Sequence, residues 1–210
     1  MNGFLYRCLE KTNILMINKL VIGTAQFGMS YGISNQNGQV NRHEISNILD
    51  TARKSGINGL DTARLYGNSE EVIGGYLKKR PGFSWDVTTK LDSSNACVHD
   101  QLIDSINRLT VQPTVVMAHS ADLFLNNKFQ KEISVAIRDG LVSKMGVSLY
   151  DKNEIYRVLD SPFKPNVIQL PMNILDTQLY RNGVITKIYS EGIEIHVRSA
   201  FLQGLLYLSE

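Results

Sequence analysis

Short apolar runs alternate with amphipathic helical patterns along most of the chain, and this alternation restricts the fold more than any other feature. The runs are nearly continuous and rich in β-branched residues, as in strands buried on both faces of a parallel sheet. The pattern predicts a parallel α/β fold, either a doubly wound sheet or a (β/α) barrel. The runs are LVIGTA (20–25), INGLDTA (57–63), WDVTTKL (85–91), PTVVMAH (113–119), SKMGVSL (143–149), NVIQLPM (166–172) and IEIHVRSAF (193–201).

Helical signals lie between these runs. Apolar residues in 45–52 follow the i, i+3, i+4, i+7 spacing of one helix face, and Asn41 and Glu44 are placed as an N-cap and its N3 partner. Asp151 and Glu154 repeat the arrangement before a second apolar stripe. The sequence also predicts a helix over 69–80 that ends before Pro81-Gly82, and another over 128–139 that ends at Gly140.

The chain has 210 residues, a length typical of one domain with a sizeable core. A net charge of +2 does not indicate a nucleic-acid or acidic membrane partner. Cys8 and Cys97 have no metal-ligand spacing and are interpreted as reduced thiols, and the apolar run 14–17 is too short for a signal core. We therefore expect a cytoplasmic protein with a possible disordered leader at 1–15 and a single domain at 16–210.

Polar residues follow the predicted strands at their carboxyl ends, where α/β folds place their sites. Taken singly, each has a structural explanation: Asp61 as a turn cap, Tyr66 as a rim aromatic, Lys90 as a solvated strand end and His119 as a core histidine. Together they give three successive strands an ionisable end residue, with a tyrosine on the loop between two of them. This combination favours a functional site.

The segment GLDTARLYGNSEEVIG (59–74) resembles the signature of the aldo-keto reductase family. The resemblance continues, in the family's order, through TTKL, MAHS, GLVSKMGVS, VIQLPMNILD and RSAFLQGLL. It implies a (β/α)8 barrel that binds a nicotinamide cofactor without a Rossmann domain. It also implies a catalytic tetrad of Asp61, Tyr66, Lys90 and His119.

The chemistry of these four residue types agrees with carbonyl reduction. A free tyrosine has a pKa near 10, so it needs help to give up its proton at pH 7. The ammonium of Lys90 is expected to lower that pKa, and Asp61 to hold Lys90 charged and in place. His119 is expected to orient the substrate oxygen by hydrogen bonding. These roles predict an NAD(P)H-dependent reductase of an aldehyde, ketone or sugar-like carbonyl, with Tyr66 as general acid.

The resemblance also implies a set of cofactor-binding residues, and no metal. Two positions depart from the family's common pattern: Leu149 replaces an asparagine, and Arg198 replaces an aromatic residue that stacks on the nicotinamide. A guanidinium can also stack on a ring face. The implied cofactor contacts are Gly23 and Thr24 at the first strand end, Ser148 and Gln169 at the carboxamide, and Ser199, Phe201, Gln203 and Gly204 at the pyrophosphate.

Family members continue well past the point that corresponds to Glu210, with an eighth strand and helices that grip the adenosine phosphate. The sequence therefore predicts an incomplete, C-terminally truncated barrel of about seven strands. NADPH is the expected cofactor, with NADH possible because the segment that distinguishes them is not in the sequence. Open barrel edges predict self-association. The alternative is a non-catalytic binding or structural protein of the same fold, since fold does not imply activity.

Overall fold

One parallel sheet of seven strands organises the chain. The structure, a computed structural model, describes residues 19–93 and 96–207, so the expected leader at 1–15 lies outside the described residues. The strands are hydrogen-bonded in sequence order from β1 to β7, which confirms the barrel-type arrangement and excludes a doubly wound sheet. They are β1 (Val21–Gly23), β2 (Gly59–Asp61), β3 (Asp86–Leu91), β4 (Val115–Ala118), β5 (Lys144–Ser148), β6 (Val167–Pro171) and β7 (Glu194–Arg198).

Helices separate the strands and end near the predicted positions. The Asn41 side chain caps α2 by accepting a hydrogen bond of 3.0 Å from the Glu44 amide. The Asp151 side chain caps α7 in the same way, by accepting a hydrogen bond of 2.9 Å from the Glu154 amide. The sequence predicts both caps. The described helices are α1 (Ala25–Gly28), α2 (Arg42–Lys54), α3 (Ser69–Lys79), α4 (Val98–Leu109), α5 (Ala121–Phe124), α6 (Asn127–Arg138), α7 (Lys152–Asp160), α8 (Gln178–Arg181) and α9 (Val184–Ser190), followed by a kinked 3₁₀ segment (Leu202–Tyr207).

The sheet curves strongly. Asp61 ends β2 and Gln169 lies in β6, four strands away in the hydrogen-bonding order. In a flat sheet these strands would be about 19 Å apart, since neighbours are spaced at about 4.8 Å. The Gln169 amide nevertheless donates a hydrogen bond of 2.6 Å to the Asp61 carboxylate. The strands therefore surround an interior, and these two side chains meet inside it.

Two apolar clusters pack helices against the outer face of the sheet. One joins β2 and β3 to α2 and α3 through residues such as Leu60, Ile45 and Ile73, each at most 1% exposed. The larger cluster joins β4–β6 to α4–α9 and includes Val116, Ile133 and other buried aliphatic side chains. A small cluster of inward-facing side chains, Val115, Met117 and Val167, packs in the barrel interior. This is the layering of a (β/α) barrel, with helices outside and a packed centre.

The strand order ends at β1 and β7, and no hydrogen bonding between these two strands occurs among the described residues. Val21 and Val197, on these edge strands, are 47% and 45% exposed. Loops beyond the two edges do meet, because the Ser34 hydroxyl donates to the Gln203 carbonyl at 3.2 Å. Among the described residues, no helix is long and apolar enough to cross a membrane.

Candidate active site

Lys90 is the centre of the polar cluster inside the barrel. Its side chain is 1% exposed, and its ammonium forms an ion pair with the Asp61 carboxylate. It also donates to the Thr62 carbonyl at 2.9 Å and lies 3.5 Å from the Tyr66 hydroxyl. An ammonium has three N–H donors, so these contacts account for all of them. Lys90 is thereby fixed between the carboxylate and the phenol.

Asp61 is held in place from two other directions. Gln169 donates to the carboxylate oxygen that does not contact Lys90. The backbone carbonyl of Asp61 accepts hydrogen bonds from the Thr24 amide at 3.0 Å and the Thr24 hydroxyl at 2.8 Å. With its main chain and both carboxylate oxygens engaged, Asp61 is positioned by β1, β3 and β6 together.

The Tyr66 loop is seated by a close approach to α1. A β-carbon on Gly28 would lie 1.7 Å from the Tyr66 carbonyl oxygen, so glycine alone leaves room for this backbone. Gly67 has a φ of +56°, and its own β-carbon would meet the Gly28 carbonyl at 2.1 Å. The Ser69 amide then donates to the Tyr66 carbonyl at 3.0 Å at the start of α3. These contacts fix where the Tyr66 side chain leaves the loop.

A buried chain of hydroxyl groups ties this loop to the first strand. Ser69 donates to Thr24, with Oγ–Oγ1 and Oγ–O distances of 2.9 and 3.0 Å, and accepts from Thr62 at 3.0 Å. Thr24, Thr62 and Ser69 are all 0% exposed. Their mutual hydrogen bonds satisfy polar groups that would be costly to bury alone. Thr24, expected at the cofactor, thus also has an internal structural role.

His119 follows β4, and its ring packs edge-to-face against Tyr66 with centroids 6.0 Å apart. Its backbone amide donates to the Leu91 carbonyl at 3.0 Å, which extends the β3–β4 pairing by one residue. The ring nitrogen Nδ1 is buried and has no hydrogen-bond partner among the described residues. The structure therefore brings all four tetrad positions into one cluster.

Burial dominates the proton affinities of this cluster. It raises the pKa of Tyr66, with a further increase from the Asp61 charge. This differs from the expectation that Lys90 lowers the pKa, because desolvation of the phenolate is the larger effect. Burial and the charge of Lys90 both lower the pKa of His119. Burial also lowers the pKa of Lys90, and the Asp61 carboxylate opposes this shift. At pH 7 Tyr66 therefore keeps its proton, and His119 is neutral.

Ser148 ends β5 and lies in register with Gln169 in the middle of β6. They are 2% and 3% exposed, and the Ser148 hydroxyl donates to the Gln169 side-chain carbonyl at 3.3 Å. Gln169 uses one amide hydrogen on Asp61, so its second hydrogen and the lone pairs of Ser148 remain available to a ligand. Gly23 ends β1 in register with Asp61, and a β-carbon there would contact nothing within 4 Å.

The segment after β7 has an unusual backbone. Ser199, Leu202 and Gln203 have φ values of 60°, 49° and 55°, and Gly204 has a φ of 88°. A β-carbon on Gly204 would lie 1.9 Å from the Ser34 hydroxyl, so this glycine is required by both conformation and space. Phe201 in the same segment is 59% exposed. The segment lies against the loop that follows β1, at the carboxyl-end mouth of the barrel.

Tyr150 is a mouth residue that the sequence analysis did not identify. The Arg198 guanidinium lies over its ring at 4.1 Å from the centroid, and Arg198 Nη2 donates to the Leu149 carbonyl at 3.1 Å. The signal available in the sequence was an aromatic residue two positions beyond Ser148, on the same inward side. Within the described residues, no group of three metal-ligating side chains is arranged to hold a metal.

A model of the aldo/keto reductase family matches residues 19–209, which is most of the chain. The chain belongs to the aldo/keto reductase family. The resemblance expected from the sequence is thus confirmed, as is the barrel-type fold. No match was found among curated proteins.

Solved aldo-keto reductase structures share this fold. A Pseudomonas aeruginosa protein described as an aldo-keto reductase is 24% identical, with a TM-score of 0.71 over 86% of this chain and 73% of that one. An aldo/keto reductase from Brucella melitensis is 20% identical, with a TM-score of 0.66 over 90% and 70% of the two chains. One from Klebsiella pneumoniae, solved with NADP and acetate, is 15% identical, with a TM-score of 0.69 over 88% and 64%.

Proposed function

We propose that this aldo/keto reductase is an NAD(P)H-dependent oxidoreductase that reduces an aldehyde, ketone or sugar-like carbonyl with Tyr66 as the general acid. The observation that carries the proposal is the position of Lys90. Its ammonium is paired with Asp61 and lies 3.5 Å from the Tyr66 hydroxyl, while His119 packs on the tyrosine ring. An acid, a cation and a neutral imidazole therefore converge on one point at the mouth of the barrel.

The proposed roles follow from the protonation states. A reduced nicotinamide, when bound, supplies the hydride that the carbonyl carbon accepts. Tyr66 gives its proton to the carbonyl oxygen, and its high pKa keeps that proton in place until the oxygen becomes basic. Lys90 then stabilises the phenolate that remains, and Asp61 holds Lys90 in position. Neutral His119 has one N–H with which to orient the carbonyl oxygen.

The residues at β5 and β6 are compatible with a nicotinamide carboxamide. Ser148 has a free acceptor and Gln169 a free donor, which is the complementary pair that an amide requires. We propose that these two side chains, with Gly23 and Thr24, hold the nicotinamide end, and that 199–204 contacts the pyrophosphate. NADPH is the proposed cofactor, with NADH as the alternative. A fold relative from Klebsiella pneumoniae has been solved with NADP.

Tyr66→Phe tests the proposal. The variant should lower kcat/KM for carbonyl reduction by about 10²–10⁴-fold, the usual contribution of a general acid. Its affinity for NADPH, measured by cofactor fluorescence titration, should stay nearly unchanged. Tyr76→Phe is the matched control, because its hydroxyl bonds to Asp50 rather than to the site. Equal turnover in Tyr66→Phe and wild type would remove Tyr66 from its proposed role.

The same titration separates catalysis from the alternative of a non-catalytic protein with the same fold. Binding of NADPH together with oxidation in the presence of an aldehyde supports the enzyme. A chain that neither binds nor oxidises NADPH supports the alternative. The proposed compartment is the cytoplasm, supported by the low cysteine content of two residues in 210.

We also propose that this 210-residue chain self-associates through its sheet edges. Leu20 is 53% exposed, and Val21 and Val197 are almost half exposed. Edge strands with apolar side chains and unpaired backbone groups pair readily with another chain. Sedimentation velocity should show dimers or larger species that diminish when Val21 is replaced by lysine. A monomer at every concentration would contradict this proposal.

A further inference from the structure

Arg64 attaches the Tyr66 loop to the end of β3. It lies two residues before Tyr66, and its backbone amide donates to the Lys90 carbonyl at 3.2 Å. The Arg64 side chain is 14% exposed, and its Nε lies 3.4 Å from the carboxylate of Asp92, which follows Lys90 by two residues. Arg64 thus joins the segment that carries the proposed general acid to the segment that carries its cation.

The other end of the guanidinium is anchored on α4. Arg64 Nη1 donates to the Asp104 carboxylate at 2.8 Å and to the Gln101 backbone carbonyl at 3.0 Å. Gln101 is 3% exposed, and its side chain accepts from the Asp92 amide at 3.1 Å and donates to the Asp92 carbonyl at 3.2 Å. The Tyr66 loop, the end of β3 and α4 are therefore connected through one set of hydrogen bonds and ion pairs.

Arg64 holds the side of the Tyr66 loop that faces β3 and α4. The contacts of Ser69 with Thr24, and of Gly28 with the Tyr66 carbonyl, hold the opposite side against β1 and α1. A loop that is attached on both sides has little freedom to shift across the barrel mouth. The position of the Tyr66 hydroxyl then depends on both sets of contacts.

The separation between Tyr66 and Lys90 makes this position critical. The Lys90 ammonium lies 3.5 Å from the Tyr66 hydroxyl, at the outer limit of a hydrogen bond. A misplacement of a reacting group by about 1 Å can lower a rate by about 10²-fold, even when its cause is far from the chemistry. A small outward shift of the loop would therefore separate the phenol from the cation.

We propose that Arg64 is a positioning residue for carbonyl reduction, and that it holds Tyr66 within reach of Lys90. This proposal rests on the proposed reductase function. The planar guanidinium contacts two carboxylates from one rigid fork, which fixes its orientation better than a single ammonium could. Its contacts are with the loop after β3 and with α4, so its loss should act on the chemical step rather than on binding of cofactor or substrate.

The kinetic test separates kcat from KM. It follows NADPH oxidation with 4-nitrobenzaldehyde, an aldehyde whose nitro group makes the carbonyl more electrophilic. Arg64→Met should lower kcat by about ten- to a hundredfold and leave KM and NADPH affinity within about twofold. Arg64→Lys should recover part of the loss, because it keeps the charge and loses the fork. The matched control is Arg108→Met, which removes another guanidinium from Asp104, with Nη2 at 2.9 Å, and should leave kcat unchanged.

A measurement of geometry keeps the proposal separate from turnover. NMR with labelled tyrosine and histidine rings should show a nuclear Overhauser effect between Tyr66 and His119, whose ring centroids are 6.0 Å apart. That signal should be reduced or lost in Arg64→Met and retained in Arg108→Met. If Arg64→Met does not fold, Asp92→Asn neutralises only the partner at the β3 end and should change kcat and the ring signal in the same direction, by less.

The outcomes distinguish the two proposals. If the wild-type chain reduces no aldehyde but the ring signal depends on Arg64, the positioning role stands and the reductase function fails. If the chain is active and the Arg64 variants keep the wild-type kcat, the positioning role is wrong and the function stands. A raised KM at unchanged kcat would assign Arg64 to substrate binding, and an equal fall in kcat for Arg108→Met would assign it to general stability. Either result would overturn the proposal.

Discussion

Replacing Lys90 with methionine removes the cation that neutralises Asp61 inside the barrel. The lysine side chain is 1% exposed and the aspartate side chain 16%, so water can do little to replace the lost partner. Methionine has a similar length and keeps most of the packing of the lysine stem. The change therefore isolates the charge, and Asp61 is left with Gln169 and the Thr24 contacts to its main chain.

Breaking a buried ion pair by removal of one partner costs about 3–5 kcal/mol, because the remaining charge is uncompensated. The high burial of both partners places Lys90→Met in that range. For a chain of this size each kcal/mol lowers Tm by about 2–4 °C, which gives an expected loss of about 6–20 °C. The matched control is Lys144→Met, whose pair with Glu194 is about half exposed on both sides. It should cost about 0–1 kcal/mol.

Urea unfolding followed by tryptophan fluorescence measures these costs. Trp85 is the only tryptophan in the sequence, is 8% exposed and packs on Tyr76 and Phe83, so its emission reports on the cluster around β2 and β3. The double variant Asp61→Asn, Lys90→Met completes a cycle. The double variant should lose less free energy of unfolding than the sum of the losses in the two single variants, by about 0.5–3 kcal/mol.

Two results would refute this reasoning. A cost for Lys90→Met no larger than that of Lys144→Met would show that the interior pair contributes like a surface pair. Strict additivity in the double variant would show that Asp61 and Lys90 do not interact in the folded state. Either result would also remove the electrostatic basis for the proposed role of Lys90.

Two further predictions concern the neighbours of this pair. The pKa of His119 is held below 6.5 in the folded protein, so the unfolded chain binds more protons at pH values near 6.5. The free energy of unfolding should therefore fall as the pH drops from 7.5 to 5.5. His119→Gln should show a shallower fall in urea titrations, and an unchanged slope would contradict the prediction. Gly28→Ala should lower both stability and turnover, since its β-carbon would displace the Tyr66 carbonyl and the Ser69 amide. Gly75→Ala, which meets nothing within 4 Å inside α3, should leave Tm unchanged or raise it, and an equal loss in both variants would reject the steric explanation.

Periodicity and strand-end chemistry predicted the strand order and the candidate site because both depend on local sequence. The caps Asn41 and Asp151 are visible in the sequence, since each acts on an amide three residues away. The meeting of Asp61 and Lys90 follows from their place at the ends of adjacent parallel strands. These features need no knowledge of long-range packing.

Features that depend on packing could not be predicted in the same way. The bond between Thr24 and Ser69 joins residues 45 apart and exists only because the β1 loop lies against α3. The stack of Arg198 on Tyr150 depends on how three neighbouring strands are staggered. The raised pKa of Tyr66 depends on the depth of burial, which the sequence does not specify.

The linear strand order has a consequence for how the molecule fluctuates. Strands β3, β4 and β5 have a hydrogen-bonded neighbour on each side, whereas β1 and β7 have one on a single side in the described chain. Amide hydrogen exchange should therefore be slowest around Lys90 and Met117 and fastest toward Val21 and Arg198. Lys90, proposed to stabilise the Tyr66 phenolate, would then lie on the part of the sheet that opens least often. Arg198, at the end of the edge strand β7, would lie where the backbone opens locally without global unfolding.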